Sequence, residues 1–398
     1  MGGGLMQLVA YGAQDIYLTG NPQITFFKVV YRRHTNFSME AIEQTWNGTS
    51  DSLTAGRCSA TISRNGDLVH RMYLELEFDG MNTTPQNPMA AGITDIELEI
   101  GGQKIDKQSG EWMNTWVHLS EPNDSAHVGA TTGNGAALGC TPFQHMSGMG
   151  GIIATNVRQL FFTPLQFWFC RNPGLALPLI ALQYHEVKVI LNYQWNRVDN
   201  AVPIYNKLWA DYIYLDTDER RRFAQVSHEY LIEQVQVQDF EAGAGAKDLN
   251  FNHPVKELIW VVGSDVGVNV SIGDSTQAAA ANRGTYQLKL NGHDRFAARD
   301  FRYFSKTQVH SYHTGPGGMT ALAGTANEGA SGQANDGIGV YSFALKPEEH
   351  QPSGTCNFSR IDNAQLVCTT GCTATRIFAV NYNVLRIMSG MGGLAYSN

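Results

Sequence analysis

Two stretches far apart in the chain carry the same pattern. Ile96-Glu97-Leu98-Glu99-Ile100-Gly101-Gly102-Gln103-Lys104-Ile105 and Tyr286-Gln287-Leu288-Lys289-Leu290-Asn291-Gly292-His293-Asp294-Arg295-Phe296 each alternate apolar with polar residues and then enter a Gly-Gly or Asn-Gly turn. Period-two alternation running into such a dipeptide predicts a β-hairpin. Leu98 and Leu288 lie 190 positions apart, as do Gly102 and Gly292, close to half of the 398 residues. A hairpin repeated at half the chain length predicts two similar β domains, an architecture suited to building surfaces.

More of the echo follows at drifting offsets, as expected where insertions fall in surface loops. Leu68-Val69-His70-Arg71-Met72 resembles Pro254-Val255-Lys256-Glu257-Leu258, and Phe162-Thr163-Pro164-Leu165 resembles Tyr341-Ser342-Phe343-Ala344. Short alternating runs at Met72–Phe78, Val187–Leu191 and Ile232–Val237 are punctuated by Gly, Pro and Asn. They predict an all-β chain of two tandem eight-stranded antiparallel jelly rolls with short helices in loops. The best helical pattern is Gly110 to Leu119, with Trp112, Trp116 and Leu119 on one face, placed in a long inter-strand loop. Met146-Ser147-Gly148-Met149-Gly150-Gly151 recurs identically at Met388 to Gly393. Its spacing fits no phosphate-binding pattern and reads as a flexible turn.

The expected organisation is an N-terminal arm over 1–24, a first jelly roll over 25–216, a linker over 217–226 and a second jelly roll over 227–398. The linker contains Asp216 and Glu219 at capping-box spacing ahead of Arg220-Arg221-Arg222, which predicts a short capped helix. The segments 123–151 and 315–337, rich in small and polar residues, read as exposed connections where partners could bind.

Composition narrows function. Charged residues are 16%, Gly numbers 41, and the net charge is −8. Low charge with many glycines suits a turn-rich surface partly hidden against neighbours, and an acidic balance argues against nucleic-acid binding. No apolar run is long enough to span a membrane. The N-terminus shows no basic region followed by an apolar core, so no secretory signal is expected, and Met6 stands where a myristoylation motif wants Ser or Thr. The six cysteines, Cys58, Cys140, Cys170, Cys356, Cys368 and Cys372, are too sparse for a disulfide scaffold and read as free thiols.

Reactive constellations are missing from the pattern. His310-x-x-His313 lacks the short His-x-His and following carboxylate of a cupin-like metal site, His185-Glu186 lacks a second zinc-binding histidine, and no Gly-x-Ser-x-Gly elbow occurs. No enzyme activity, cofactor or metal is expected. Six N-x-Ser/Thr sequons occur, at Asn36, Asn47, Asn82, Asn123, Asn269 and Asn357, with Asn82 and Asn269 as the candidate glycosylation sites. The apolar segment Phe161 to Phe169 is either a strand buried on both faces or a contact with another chain; Phe167 and Trp168, with Arg32 and Arg33, are the candidate interface residues.

Four long segments make the wording between these strands recognisable: YGAQDIYLTGNPQITFFKVVYRRHTNF (Tyr11 to Phe37), LQFWFCRNPGLALPLIALQYHEVKV (Leu165 to Val189), YSFALKPEEHQPSGTCNFSRIDNAQL (Tyr341 to Leu366) and NVLRIMSGMGGLAYSN (Asn383 to Asn398). In that order they resemble the double jelly-roll major capsid proteins of nucleocytoplasmic large DNA viruses, most closely those of algal viruses. The resemblance implies a homotrimer whose six jelly rolls mimic a hexagon and tile an icosahedral shell over an internal membrane. It implies a location in the virion capsid after assembly in the host cytoplasm, and contact of the arm, about Met1 to Gln23, with minor capsid proteins. It also implies low outer towers in so short a chain, and glycans as further partners. The rival readings are a minor capsid or vertex jelly-roll protein and a jelly roll that binds or acts on glycans.

Overall fold

The computed structural model describes residues 33–80, 87–121, 142–150, 158–198, 201–241, 243–262, 284–315, 317, 337–369 and 374–396, with residues 6, 9, 10, 12–15, 19, 21 and 22. The chain divides into the unit Met1–Phe37 and the unit Ser38–Asn398. In the first unit the Asp15 carboxylate accepts a hydrogen bond from the Gly12 amide at 2.7 Å, forming a local turn.

The second unit carries the duplication. Its first lobe contains β1 (Phe37–Gln44), β2 (Trp46–Asn47), β3 (Gly56–Thr61), β4 (Leu68–Asp79), β5 (Ile93–Ile100), β6 (Gln103–Ser109), β7 (Arg158–Pro164), β8 (Leu177–Pro178), β9 (Val187–Tyr193) and β10 (Val202–Leu215). The second lobe contains β11 (His228–Asp239), β12 (Gly245–Asp248), β13 (Pro254–Val262), β14 (Thr285–Leu290), β15 (His293–Asp294), β16 (Arg299–Asp300), β17 (Ile338–Ser342), β18 (Cys356–Asn357), β19 (Ala364–Cys368), β20 (Ala374–Met388) and β21 (Met391–Leu394). Helices are short: α1 (Pro88–Gly92), α2 (Gly110–Ser120), α3 (Pro142–Ser147), α4 (Trp168–Arg171), α5 (Thr217–Gln225) and α6 (Val309–Tyr312).

The sheet order of one lobe repeats in the other. The first lobe pairs β1-β10-β4-β7 in one sheet and β2-β3-β9-β5-β6 in the second; the second lobe pairs β11-β20-β13-β17 and β12-β19-β14-β15. The short strand β8 adds to β4 as β18 adds to β13. The hairpin echo sits at equivalent places: Gly101 and Gly102 have φ of 59° and 80°, Asn291 and Gly292 have φ of 50° and 78°. Positive φ at both central residues is the turn whose twist matches its flanking strands, and it favours Gly and Asn there.

Two cores hold the unit together. One belongs to the second lobe and gathers Leu258, Trp260, Tyr286, Phe304 and Ile377. The other fills the first lobe and continues without interruption into Ile232, Ile259, Val261, Val340, Phe378 and Val380 of the second. Strand alternation explains the division. Leu258 and Trp260 face inward in their own lobe, while Ile259 and Val261, on the opposite face of β13, are spent against the first lobe.

Two expectations change here. Cys368 is disulfide-bonded, so the cysteines are not all free; Cys58, Cys170 and Cys356 are. Burial raises the Cys58 and Cys170 thiols to about 12, which keeps both inert. The Met-Ser-Gly-Met-Gly-Gly repeat has different surroundings in its two copies, packed in the first and a surface hairpin turn in the second. Ser147 to Gly150 are buried, with the Gly150 amide donating to Asn114 Oδ1 at 3.0 Å, whereas Ser389 and Gly390 turn β20 into β21. The linker helix α5 forms, with the Asp216 side chain capping the Thr217 amide at 2.8 Å, one position short of the usual cap contact.

Candidate functional site

The joint between the lobes is built around α2. Ser109 starts this helix, its Oγ accepting from the Trp112 amide at 3.1 Å, and residues Gly110 to Leu119 are all buried. The expectation of a helix holds, but it is no surface loop feature: it is the wedge that the second lobe closes over. The Trp112 ring lies 5.6 Å from Trp116 and 5.2 Å from Phe378 of β20. Beside it, Glu111 forms an ion pair with Arg376, which also binds Asp239. At the other end of α2 the second lobe satisfies the orphan carbonyls that every helix C-terminus leaves. Gly315 N donates to Leu119 O at 2.7 Å, Gly317 N to His118 O at 2.8 Å, and Thr314 Oγ1 to Ser120 O at 2.9 Å.

Strand β6 completes the seam alongside β11. The Gln234 side chain donates to Ile105 O, and the Val235 amide donates to Asp106 Oδ1 at 3.2 Å. Burial pushes Asp106 up to about 6 even though Gln108 and two backbone amides bond its carboxylate. A further clasp comes from the β20–β21 hairpin: Gly390 O accepts from Tyr184 N at 2.9 Å, and Leu394 N donates to Gln103 Oε1 at 3.2 Å.

Buried charge gathers at the seam in two clusters, the first of which crosses it and the second of which lies in the second lobe against Trp116. Glu233 of β11 binds Arg171 of α4 at 2.9 Å and Lys256 of β13 at 2.8 Å, with His350 Nδ1 at 3.5 Å. Burial alone would raise this carboxyl, but Arg171 and Lys256 outweigh it and hold it at about 2. His313 is clamped between Glu257 and Glu348, 3.0 Å from each, with its ring edge-on to Trp116. Burial alone would lower the His313 pKa, yet the two carboxylates push it up to about 9.

That shift has a definite sign. A histidine whose folded pKa exceeds its unfolded value contributes stability in full below pH 6.5 and loses it as pH rises through about 9. The urea midpoint of the wild type is expected to fall between pH 6.5 and 9.5, and His313→Gln is expected to flatten that fall. Equal slopes in the two proteins would contradict the assignment.

A cleft of about 700 Å³ opens along the seam, lined from both lobes by residues that include Asp95, Lys107, Gln234, Asp239 and Arg376. Its charges are largely paired already: Lys107 lies 3.3 Å from Asp95 and 3.1 Å from Glu97. His310 is exposed while His313 is buried, and among the described residues no group of three His, Cys, Asp or Glu could hold a metal.

The sequence-based candidates scatter. Phe167 and Trp168 are 0% and 2% exposed, stacked and edge-packed against Phe169, so they have no surface left for another chain. The apolar segment divides by alternation instead: Phe161 is buried, while Leu160 and Phe162 are 39% and 36% exposed. Arg33 is exposed, and Arg32 lies outside the described residues. Asn82, Asn269 and Asn123 also lie outside them; Asn36, Asn47 and Asn357 are exposed. The seam charges Glu233, Lys256, Glu257 and Arg171 were not singled out from sequence. The readable sign was the unbroken apolar run Leu258-Ile259-Trp260-Val261-Val262 beside them, which marks a strand buried on both faces.

Comparison with known proteins bears on what this two-lobed body is. Residues 25–216 match the family described as major capsid protein N-terminus, and residues 219–393 match the large eukaryotic DNA virus major capsid protein family. The chain belongs to that family. It is 52% identical to the major capsid protein of Pyramimonas orientalis virus and 41% identical to that of Paramecium bursaria Chlorella virus 1, each over 100% of both chains. The chain in the quasi-atomic description of the PBCV-1 virus capsid superposes with a TM-score of 0.74 at 37% identity, covering 94% of this chain and 100% of that one. The Faustovirus major capsid protein shares the fold at 13% identity with a TM-score of 0.63. As a major capsid protein of a large DNA virus, the chain is a structural component of the virion capsid and not an enzyme. The seam joins its two lobes through a shared core and buried ion pairs.

Proposed function

We propose that this major capsid protein works as a homotrimeric capsomer in which three chains contribute six jelly rolls, giving a pseudo-hexagonal tile for an icosahedral shell over an internal membrane. The observation that supports this most directly is the repeated sheet order within one compact unit. Two lobes of like topology, locked by a buried seam, present near-equivalent sides to neighbours, and a closed three-fold ring of them approximates six-fold surroundings. The lobes are taken as 25–216 and 227–398 with 217–226 as linker. The arm, 1–24, is assigned to contacts with minor capsid proteins, the surface loops to glycans, and assembly to the host cytoplasm.

Light scattering of the purified full chain tests the reading. A stable particle of three times the 43.8 kDa chain mass is the expected result. A strict monomer at micromolar concentration would count decisively against it, since obligate interfaces of this kind bury more than ~2,000 Å².

A further inference from the structure

The duplication assigns a face. With Met72 equivalent to Leu258, the outward residues Tyr73 and Glu75 of β4 correspond to Ile259 and Val261 of β13. Strand register carries the comparison sideways. Trp209 sits opposite Tyr73 as Phe378 sits opposite Ile259. Lys207 sits opposite Glu75 as Arg376 sits opposite Val261, and Phe162 opposite Glu75 as Ile338 opposite Val261. In the second lobe this face is covered by α2, with Phe378 against Trp112 and Arg376 paired with Glu111. In the first lobe the same face lies open. Phe162 is 36% exposed, and Tyr73 meets it edge-on at 6.3 Å while stacking on Trp209 at 6.4 Å.

We propose that this open face of β10, β4 and β7 is covered by the second lobe of a neighbouring copy, through the exposed basic side chains of its segment Arg295 to Lys306, which is itself anchored by buried Phe301 and Phe304; the inference rests on the assembly reading above and names its contact. Two observations choose this occupant. The segment lies between β15 and β17, the place in its lobe that α2 holds between β6 and β7 in the first. The charges also complement one another. Around the aromatic trio the face carries Glu43, Glu75, Glu77 and Asp211 against Lys207 and Arg71, a net acidic balance, while the segment carries exposed Arg295, Arg299, Arg302 and Lys306 against Asp300. The Glu75 carboxylate is held in place by Tyr205 Oη at 3.0 Å and Trp209 Nε1 at 2.6 Å, so the acidic face is preorganised for a cationic partner. Because two different surfaces meet, the contact is heterologous, the kind that builds a closed three-fold ring when each copy is turned a third of a revolution from the last.

Mass photometry and sedimentation of the full-length protein test this with Phe162→Arg on one side and Arg299→Glu with Arg302→Glu on the other. Each is expected to weaken assembly at least tenfold, and combining the two sets is expected to recover part of the loss. Melting curves report folding; if Phe162→Arg fails to fold, the exposed arginine pair decides. An assembled wild type whose variants on both sides assemble within twofold of it overturns the proposed face and leaves the assembly reading intact. Weakening by Phe162→Arg alone keeps the acceptor face and overturns the basic segment as its occupant. A monomeric wild type overturns both readings.

Discussion

Replacing Trp112 with alanine is expected to lower the melting temperature of the purified protein by roughly 4–6 °C, the equivalent of about 3–5 kcal/mol for an aromatic removed from a packed core. The side chain is 1% exposed and lies between Trp116 of its own helix and Phe378 of the second lobe. The void left by alanine would open in the seam itself, where the core of the first lobe continues into the second. Loss of joint packing should therefore appear as loss of cooperativity: calorimetry is expected to show one transition in the wild type and two in the variant, the second lobe retaining its own core around Trp260 and Tyr286. Trp112→Phe keeps most of the contact with Phe378 and should recover more than half of the stability. A cost below about 1 kcal/mol for Trp112→Ala would mean that the helix is a passenger and that the lobes are held elsewhere.

Much of this joint could be read from residue patterns, and the reasons for the rest are physical. In β4, Tyr73-Leu74-Glu75-Leu76-Glu77-Phe78 alternates, the mark of a sheet with one open face; in β13, Leu258 to Val262 is apolar at every position, the mark of a sheet covered on both. That contrast already distinguishes the lobe whose outer face is hidden from the lobe whose face is free. The hairpin turns were legible because positive φ leaves few residue choices. The partners of α2 were not, since Trp112 and Phe378 are separated by most of the chain, and the apolar face of Trp112, Trp116 and Leu119 marks a helix without saying what covers it or that its other side is buried too. The segment after Pro164 misled for a related reason: alternation ends there, Trp168–Arg171 coils into α4, and Phe167 and Trp168 turn into the core. Charged residues inside the seam were the hardest, because Arg171 and Glu233 become partners only when two lobes meet.

The Glu233 cluster yields the second large effect. Glu233→Gln preserves shape but removes the charge that neutralises Arg171 and Lys256, and the Lys256 side chain is 0% exposed, 5.4 Å from the centre of the Tyr382 ring. Breaking one partner from a buried pair leaves an uncompensated charge and costs about 3–5 kcal/mol, more than the pair itself contributes relative to apolar packing. Chemical denaturation should show that loss in Glu233→Gln, and Glu233→Leu combined with Lys256→Met should recover most of it. The pH dependence carries the opposite sign to that of His313. A carboxyl held at about 2 in the folded protein supplies stability that is complete above pH 4.5 and is lost only as pH falls through about 2. The wild-type seam is accordingly expected to remain closed from pH 7 to pH 4, with one calorimetric transition throughout. In Glu233→Gln the buried lysine loses its ion-pair partner and keeps only the more distant influence of Glu257, so acidification should split the transition at mild pH. A variant as acid-resistant as the wild type would show that the cluster is held by packing alone, with its charges making no net contribution to the joint.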